Sequence, residues 1–272
     1  MIEYPEVITL AHQLQETVVG KQIKAVLPPT KTHKFCWFNG DVHLYEPQLK
    51  DATLTHANGF GLFVEMAFDN GKKLCINDGV NVRFLPSAPY PTDFQLLLRH
   101  SDGSALAFAV AMYGGIVLHD GTYDNPYYLK SRTAIAPTSA DFPAYFDHLW
   151  ATSKPTLSAK AFLATEQRFP GIGNGVLQDI LFEAGIHPKR KLGTLTEQDK
   201  KRLYTTTLDV LHRMTEQGGR NTEKDLFGHP MGYKTQLSKN TLAAPCPRCG
   251  HALVKEAYLG GAVYFCPVCQ PL

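Results

Sequence analysis

Two Cys-x2-Cys pairs sixteen residues apart, Cys246/Cys249 and Cys266/Cys269, constrain this chain more than any other feature. Two residues between paired sulfurs let both meet one ion, and four thiolates form the tetrahedral set that Zn2+ prefers. The intervening run alternates apolar and polar residues and turns at Gly260-Gly261, the pattern of a β-hairpin rooted in the metal. The spacing therefore predicts one structural Zn2+ per chain. Four thiolates fill the coordination sphere and leave no position for water, which argues against a catalytic metal. Two disulfides or four free thiols are the bland alternative to this pattern.

With 272 residues, 44% hydrophobic and 19% charged, the chain is long and apolar enough for two folded domains. No run approaches the ~20 apolar residues of a membrane span, and the start MIEYPEV lacks the basic-then-apolar layout of a signal peptide. The expectation is a cytoplasmic protein with no membrane partner, at the nucleoid if the source is bacterial. Cys36 and Cys75 lie in apolar runs and are expected to be buried thiols. Net charge is only +2, but its distribution is uneven. Residues 1–150 carry 11 Lys+Arg against 15 Asp+Glu, and residues 151–272 carry 16 against 10. A basic second half suits a polyanion, although solvated helix faces also collect lysines.

From Pro5 to Gly20, apolar residues recur at helical spacing, with proline at the start and glycine at the end. Ten short alternating runs follow: 22–27, 34–38, 42–45, 52–56, 62–68, 73–77, 81–85, 94–99, 105–110 and 116–120. Together they predict an antiparallel β-sandwich. Residues 126–155 are expected as a linker with one weak helical stretch over 141–150. Helical spacing over 158–218 predicts a second, helical unit, with Thr194 or Thr196 capping its last long helix. A polar loop, 219–245, leads to the hairpin. The expected organisation is thus α+β, with a sandwich domain 1–125, the linker 126–155, a helical domain 156–240 and a zinc hairpin 241–272.

At Phe169-Pro170-Gly171-Ile172-Gly173-Asn174-Gly175, glycines precede a helix, so backbone N–H groups there can approach an anion such as phosphate. An ordinary helix–helix turn would look the same. The longer run Lys160-x6-Gln167-x3-GIGNGVLQDILFEAGIHP, with the hairpin ending CPVCQ, closely resembles the formamidopyrimidine-DNA glycosylase / endonuclease VIII family. The N-terminus agrees: members begin Met-Pro-Glu-Leu-Pro-Glu-Val, and this chain begins Met1-Ile2-Glu3-Tyr4-Pro5-Glu6-Val7.

The resemblance implies an N-terminal sandwich, a helix-two-turn-helix and a zinc hairpin that together clamp double-stranded DNA around a damaged base or abasic site. It implies a monomeric base-excision glycosylase with AP lyase activity, in which an N-terminal amine at position 2 and Glu3 act on a flipped-out nucleotide. Lys160 and Asn174 fall on the family's phosphate-holding Lys and Asn. Several positions depart from the pattern. Ile2 replaces the nucleophilic proline, and a retained Met1 would shift the amine by ~3.8 Å. Phe60 stands where the sandwich carries a lysine, and Gly261 where the hairpin tip carries an arginine; Lys234, Lys239 and Lys255 are possible substitutes. The turn that fills the gap left by the flipped base has no arginine, and Tyr113 is either its wedge or a core tyrosine. The competing reading is therefore a catalytically reduced protein that binds damaged or abasic DNA through the same clamp. A third, in which Glu3 activates water without an amine nucleophile, lies between the two.

Overall fold

A computed structural model describes residues 1–272. Helix α1 (Tyr4–Thr17) is followed by β1 (Ile23–Leu27), β2 (Cys36–Phe38), α2 (Tyr45–Leu49), β3 (Leu54–Phe60), β4 (Phe63–Phe68), β5 (Lys73–Asn77), β6 (Val80–Leu85), β7 (Leu96–His100), β8 (Ala105–Val110) and β9 (Gly114–His119). The strands form a four-stranded sheet, β1-β7-β8-β6, and a five-stranded sheet, β2-β9-β5-β4-β3. Alternate residues explain why two layers form. Val64 and Met66, Leu74 and Ile76, Leu106 and Phe108, and Ile116 and Leu118 all enter one core with Val7, Leu10 and Leu14 of α1. Intervening residues such as Phe63, Cys75 and Val117 face the opposite side of the five-stranded sheet.

The structure corrects three expectations here. Residues 42–45 are not a strand: Asp41 accepts the His43 N–H at 3.0 Å and caps a 3-10 turn that runs into α2. Tyr45 and Leu49 bury the inner side of that helix at i, i+4 spacing, a period that four residues cannot distinguish from alternation. The sandwich is not wholly antiparallel, because β2 pairs with β9 in parallel. Cys75 is buried, but Cys36 on that edge strand is only partly so.

Residues 126–155 hold α3 (Pro126–Arg132), where only linker was expected, and α4 (Phe142–Thr152), which coincides with the helical stretch expected over 141–150. Phe142 and Phe146 of α4 lie in the second core with Phe162, Phe169 and Leu203. That core is built by α5 (Ala159–Ala164), α6 (Val176–Ala184) and the long α7 (Glu197–Glu216). Thr196, not Thr194, caps α7, its hydroxyl accepting from Asp199 N in a reciprocal capping box. Residues 219–245 contain no helix or strand, and β10 (Val254–Tyr258) pairs antiparallel with β11 (Gly261–Phe265) to form the hairpin. No helix is long and apolar enough to cross a membrane.

Candidate active site

Glu3 stands at the N-cap of α1, where its backbone N–H donates to Glu6 Oε2 at 2.9 Å. Its side chain turns away from α1 towards the glycine-rich turn that opens α6. Oε1 accepts from Gly175 N at 2.7 Å, and Oε2 accepts from Val176 N at 2.7 Å and Gly173 N at 3.2 Å. These N–H groups have no partner within their own helix, and the helix dipole adds favourable positive charge. The turn does cradle an anion, as its glycines suggest, but the anion is the chain's own Glu3 carboxylate. Far from being a solvated acid at a loose terminus, Glu3 is 2% exposed.

Arg220, from the loop after α7, closes the arrangement. It is 3% exposed, and its Nε and Nη2 donate to Glu6 Oε1 at 3.0 Å and Oε2 at 2.6 Å, a bidentate fork. Its Nη1 lies 3.6 Å from Glu3 Oε1, and Nη2 also donates to Met1 O at 3.0 Å. A side chain at position 175 is incompatible with this packing, since a Cβ on Gly175 would fall 1.4 Å from Arg220 Nη1. Burial raises the Glu3 carboxyl above its ordinary pKa, opposed by Arg220 and by the Val176 and Gly175 N–H groups. A carboxyl displaced upward and held by three N–H groups and a guanidinium suits a proton-transfer role.

With Met1 in place, the free amine is Met1 Nα, which donates to Glu223 Oε2 at 2.8 Å. Ile2 N is an amide that donates to Asp78 O at 2.8 Å, and the Ile2 side chain is buried in the sandwich core.

Three of the four expected DNA-contacting residues, Lys160, Asn174 and Gly261, lie where α6 meets the hairpin. Asn174 Nδ2 donates to Ala262 O at 2.7 Å, and Gln178 joins the same edge through Ala262 O at 3.0 Å and Tyr264 N at 3.0 Å. A Cβ on Gly261 would lie 3.1 Å from Asn174, so tip and turn are in close contact. Lys160 is 3% exposed and donates to Tyr258 O at 2.6 Å, an intramolecular contact at the hairpin turn. Tyr113 is partly buried, 6.2 Å from Trp37 between ring centroids. Phe60 packs on Phe63 and Tyr128. Lys234, Lys239 and Lys255 are exposed.

The four hairpin cysteines bring their sulfurs within 4.8 Å of one another, with Cys246–Cys269 at 3.9 Å and Cys249–Cys266 at 3.4 Å. A tetrahedral ion with Zn–S bonds of ~2.3 Å needs sulfurs about 3.8 Å apart. The donor set therefore fits a metal. A second group, Glu65, Cys75 and His119, is equally compact. There, however, His119 Nδ1 accepts from Gly121 N at 3.0 Å, so Nε2 carries the proton of the neutral ring and faces Cys75 Sγ at 3.4 Å. Burial lowers the His119 pKa and keeps that ring neutral. Glu65 is already paired with Lys73 at 2.9 Å and with Tyr128 at 2.6 Å. This is a closed hydrogen-bond network rather than a metal cradle.

The full-length arrangement has counterparts. The chain is 28% identical over 281 residues to formamidopyrimidine-DNA glycosylase from Exiguobacterium sibiricum, covering 99% of each. Against the enzyme of that name from Thermus thermophilus it is 26% identical over 284 residues, covering 99% of this chain and 98% of the other. Its structure superposes on crystal structures of Thermus thermophilus MutM (Fpg), with TM-score 0.79, 26% identity and 98% coverage of both chains. It also superposes on Lactococcus lactis Fpg in complex with abasic-site DNA, with TM-score 0.83, 22% identity, and 99% and 100% coverage. The chain is thus similar over its whole length to formamidopyrimidine-DNA glycosylases. No protein-family profile matches it.

Within this glycosylase-like frame, the sequence reading placed Glu3 and the cysteine set but passed over Glu6, Arg220 and Asp78. Glu6 was visible at i+3 from an N-cap, the position of a reciprocal cap. Arg220 gave no local signal, because its carboxylate partner is 214 residues away.

Proposed function

We propose that this protein is a base-excision DNA glycosylase with AP lyase activity, acting on a damaged or abasic nucleotide in double-stranded DNA. The observation that carries the reading is the Glu3 carboxylate: buried, held by Gly173, Gly175 and Val176 N–H groups, and faced by Arg220. An acid fixed this way and the chain's N-terminal amine, which sits on Glu223, are the two groups that the chemistry needs. The amine attacks C1′ and the base departs; the resulting Schiff base permits elimination of the 3′ phosphate, with Glu3 managing the proton of the opened sugar. Asn174, Gly261 and the hairpin turn form the face on which the strand backbone rests, and Tyr113 fills the gap in the stack. Lys160 supports this face through Tyr258. The two halves meet as sandwich and clamp, with domains read as 1–125, 156–240 and 241–272 and a helical approach between the first two.

Cys246, Cys249, Cys266 and Cys269 would hold one Zn2+, which cross-links the root of the hairpin and takes no part in the reaction.

Borohydride trapping on a duplex with an abasic site tests the reading. A covalent adduct is expected, and its peptide mass identifies the amine as that of Met1 or Ile2. Glu3→Gln should reduce base excision by at least about a hundredfold while duplex affinity changes only a few-fold. Binding with neither adduct nor strand nicking would leave a DNA-binding protein in place of the enzyme.

A further inference from the structure

Beside Glu3, a cavity of ≈ 520 Å³ opens between the sandwich and the turn that precedes α6. Its size is that of a small-molecule pocket. Trp37, Phe63, Tyr113 and Tyr127 give it flat aromatic walls, and Asp78 and Gln167 supply hydrogen-bonding groups. The cavity adjoins the candidate active site directly, because Asp78 O holds Ile2 N at 2.8 Å.

Three features specify an occupant. Trp37 is 52% exposed although it is a large aromatic residue, and its aromatic neighbour is Tyr113, at 6.2 Å between ring centroids. Gln167 Oε1 is buried without a hydrogen-bond donor, and Glu166 and Gln167 both adopt positive φ, 56° and 51°, an uncommon conformation for non-glycine residues. A turn of this side chain towards the cavity would let the orphaned acceptor take an N–H from a ligand. Finally, Asp78 is the only charged residue in the wall; no lysine or arginine lines it. Its Oδ1 takes the Tyr127 hydroxyl at 3.0 Å, which orients the carboxylate.

We propose that this cavity receives a flipped-out base and selects a planar heteroaromatic ring that carries positive charge and N–H groups, the chemistry of a ring-alkylated purine. Aromatic faces attract a delocalised cation through their quadrupoles, and Asp78 adds a charge-assisted partner that a neutral base cannot use as strongly. The pocket rests on the glycosylase reading for its biological occupant, but not for its ligand chemistry.

Titration of the intact protein with free 7-methylguanosine and with guanosine, followed by tryptophan emission, tests the selection without any DNA reaction. The methylated cation should bind about tenfold tighter than guanosine. Asp78→Asn, which tolerates the positive φ of 52° at this position, should erase most of that preference. Trp37→Phe should remove the emission response while binding persists by calorimetry. Equal affinities for the two nucleosides, or a preference unchanged in Asp78→Asn, would overturn the proposal. A protein that selects the cation yet neither forms an adduct with abasic DNA nor releases a damaged base from a duplex would instead retain the pocket and sink the glycosylase reading.

Discussion

Take the Arg220 guanidinium away and two buried carboxylates, Glu3 and Glu6, are left facing one another with no counter-charge. Breaking a buried pair from one side typically costs about 3–5 kcal/mol, because the remaining charge is stranded away from water. Arg220→Met is therefore expected to lower the unfolding free energy by that amount in urea titration. Arg220→Lys should recover only part of it, since one ammonium cannot fork both Glu6 oxygens and also face Glu3. A loss below about 1 kcal/mol would show that the charges do not need each other. At this scale, Glu3 was legible from its register in the chain. Its role as the occupant of the glycine-rich turn was not, because the turn's sequence shows that an anion fits without showing which one.

Among the elements, the hairpin is the one for which a bound metal would matter most. β10 and β11 form only two strands, and such a ribbon is marginal in water without further support. Its anchors to α6 run through Asn174, Gln178 and Tyr264. Removing metal with a chelator, with release verified by a colorimetric indicator, should free the hairpin and weaken duplex binding by at least about tenfold, while far-ultraviolet dichroism of the sandwich persists. Unchanged duplex affinity after verified metal loss would contradict the clamp. Elements with long periodic patterns were readable in advance: α1, α7 and the strands from β3 to β9. The short ones were not. Residues 42–45 carry too few positions to separate strand from helix, and the parallel pairing of β2 depends on β9, nearly eighty residues away.

For the molecule as a whole, stability should depend on pH through His100. Its Nδ1 meets Ser104 Oγ at 2.8 Å, while its Nε2 is buried with no partner. Burial pushes its pKa down from 6.5 to about 4, with Asp102 opposing and Lys21 assisting. The unfolded chain therefore binds a proton that the folded one refuses between these values. The stabilisation is present above pH 6.5 and is lost as pH falls through about 4, a change on the order of 3 kcal/mol. His100→Leu should flatten the urea midpoint across that window; an undiminished slope would place the titration elsewhere. The α+β class, with strands first and helices after them, was visible from composition and motif alone. Helix α3 was hidden and α4 showed only as a weak helical stretch over 141–150, because proline- and tyrosine-rich stretches read as loops until a core is available for Phe142 and Phe146 to enter.

The bond from Arg220 to Glu6 spans 214 residues, which has a consequence for synthesis on the ribosome. At roughly 5–20 residues per second, Arg220 is made roughly 10–40 s after Glu6. The sandwich can collapse during that interval, with its first turn still lacking the cation that neutralises it. Every nascent fragment, and every product cut short before the loop after α7, thus carries an unassembled site. The candidate site is in this way incomplete until translation has passed the loop after α7.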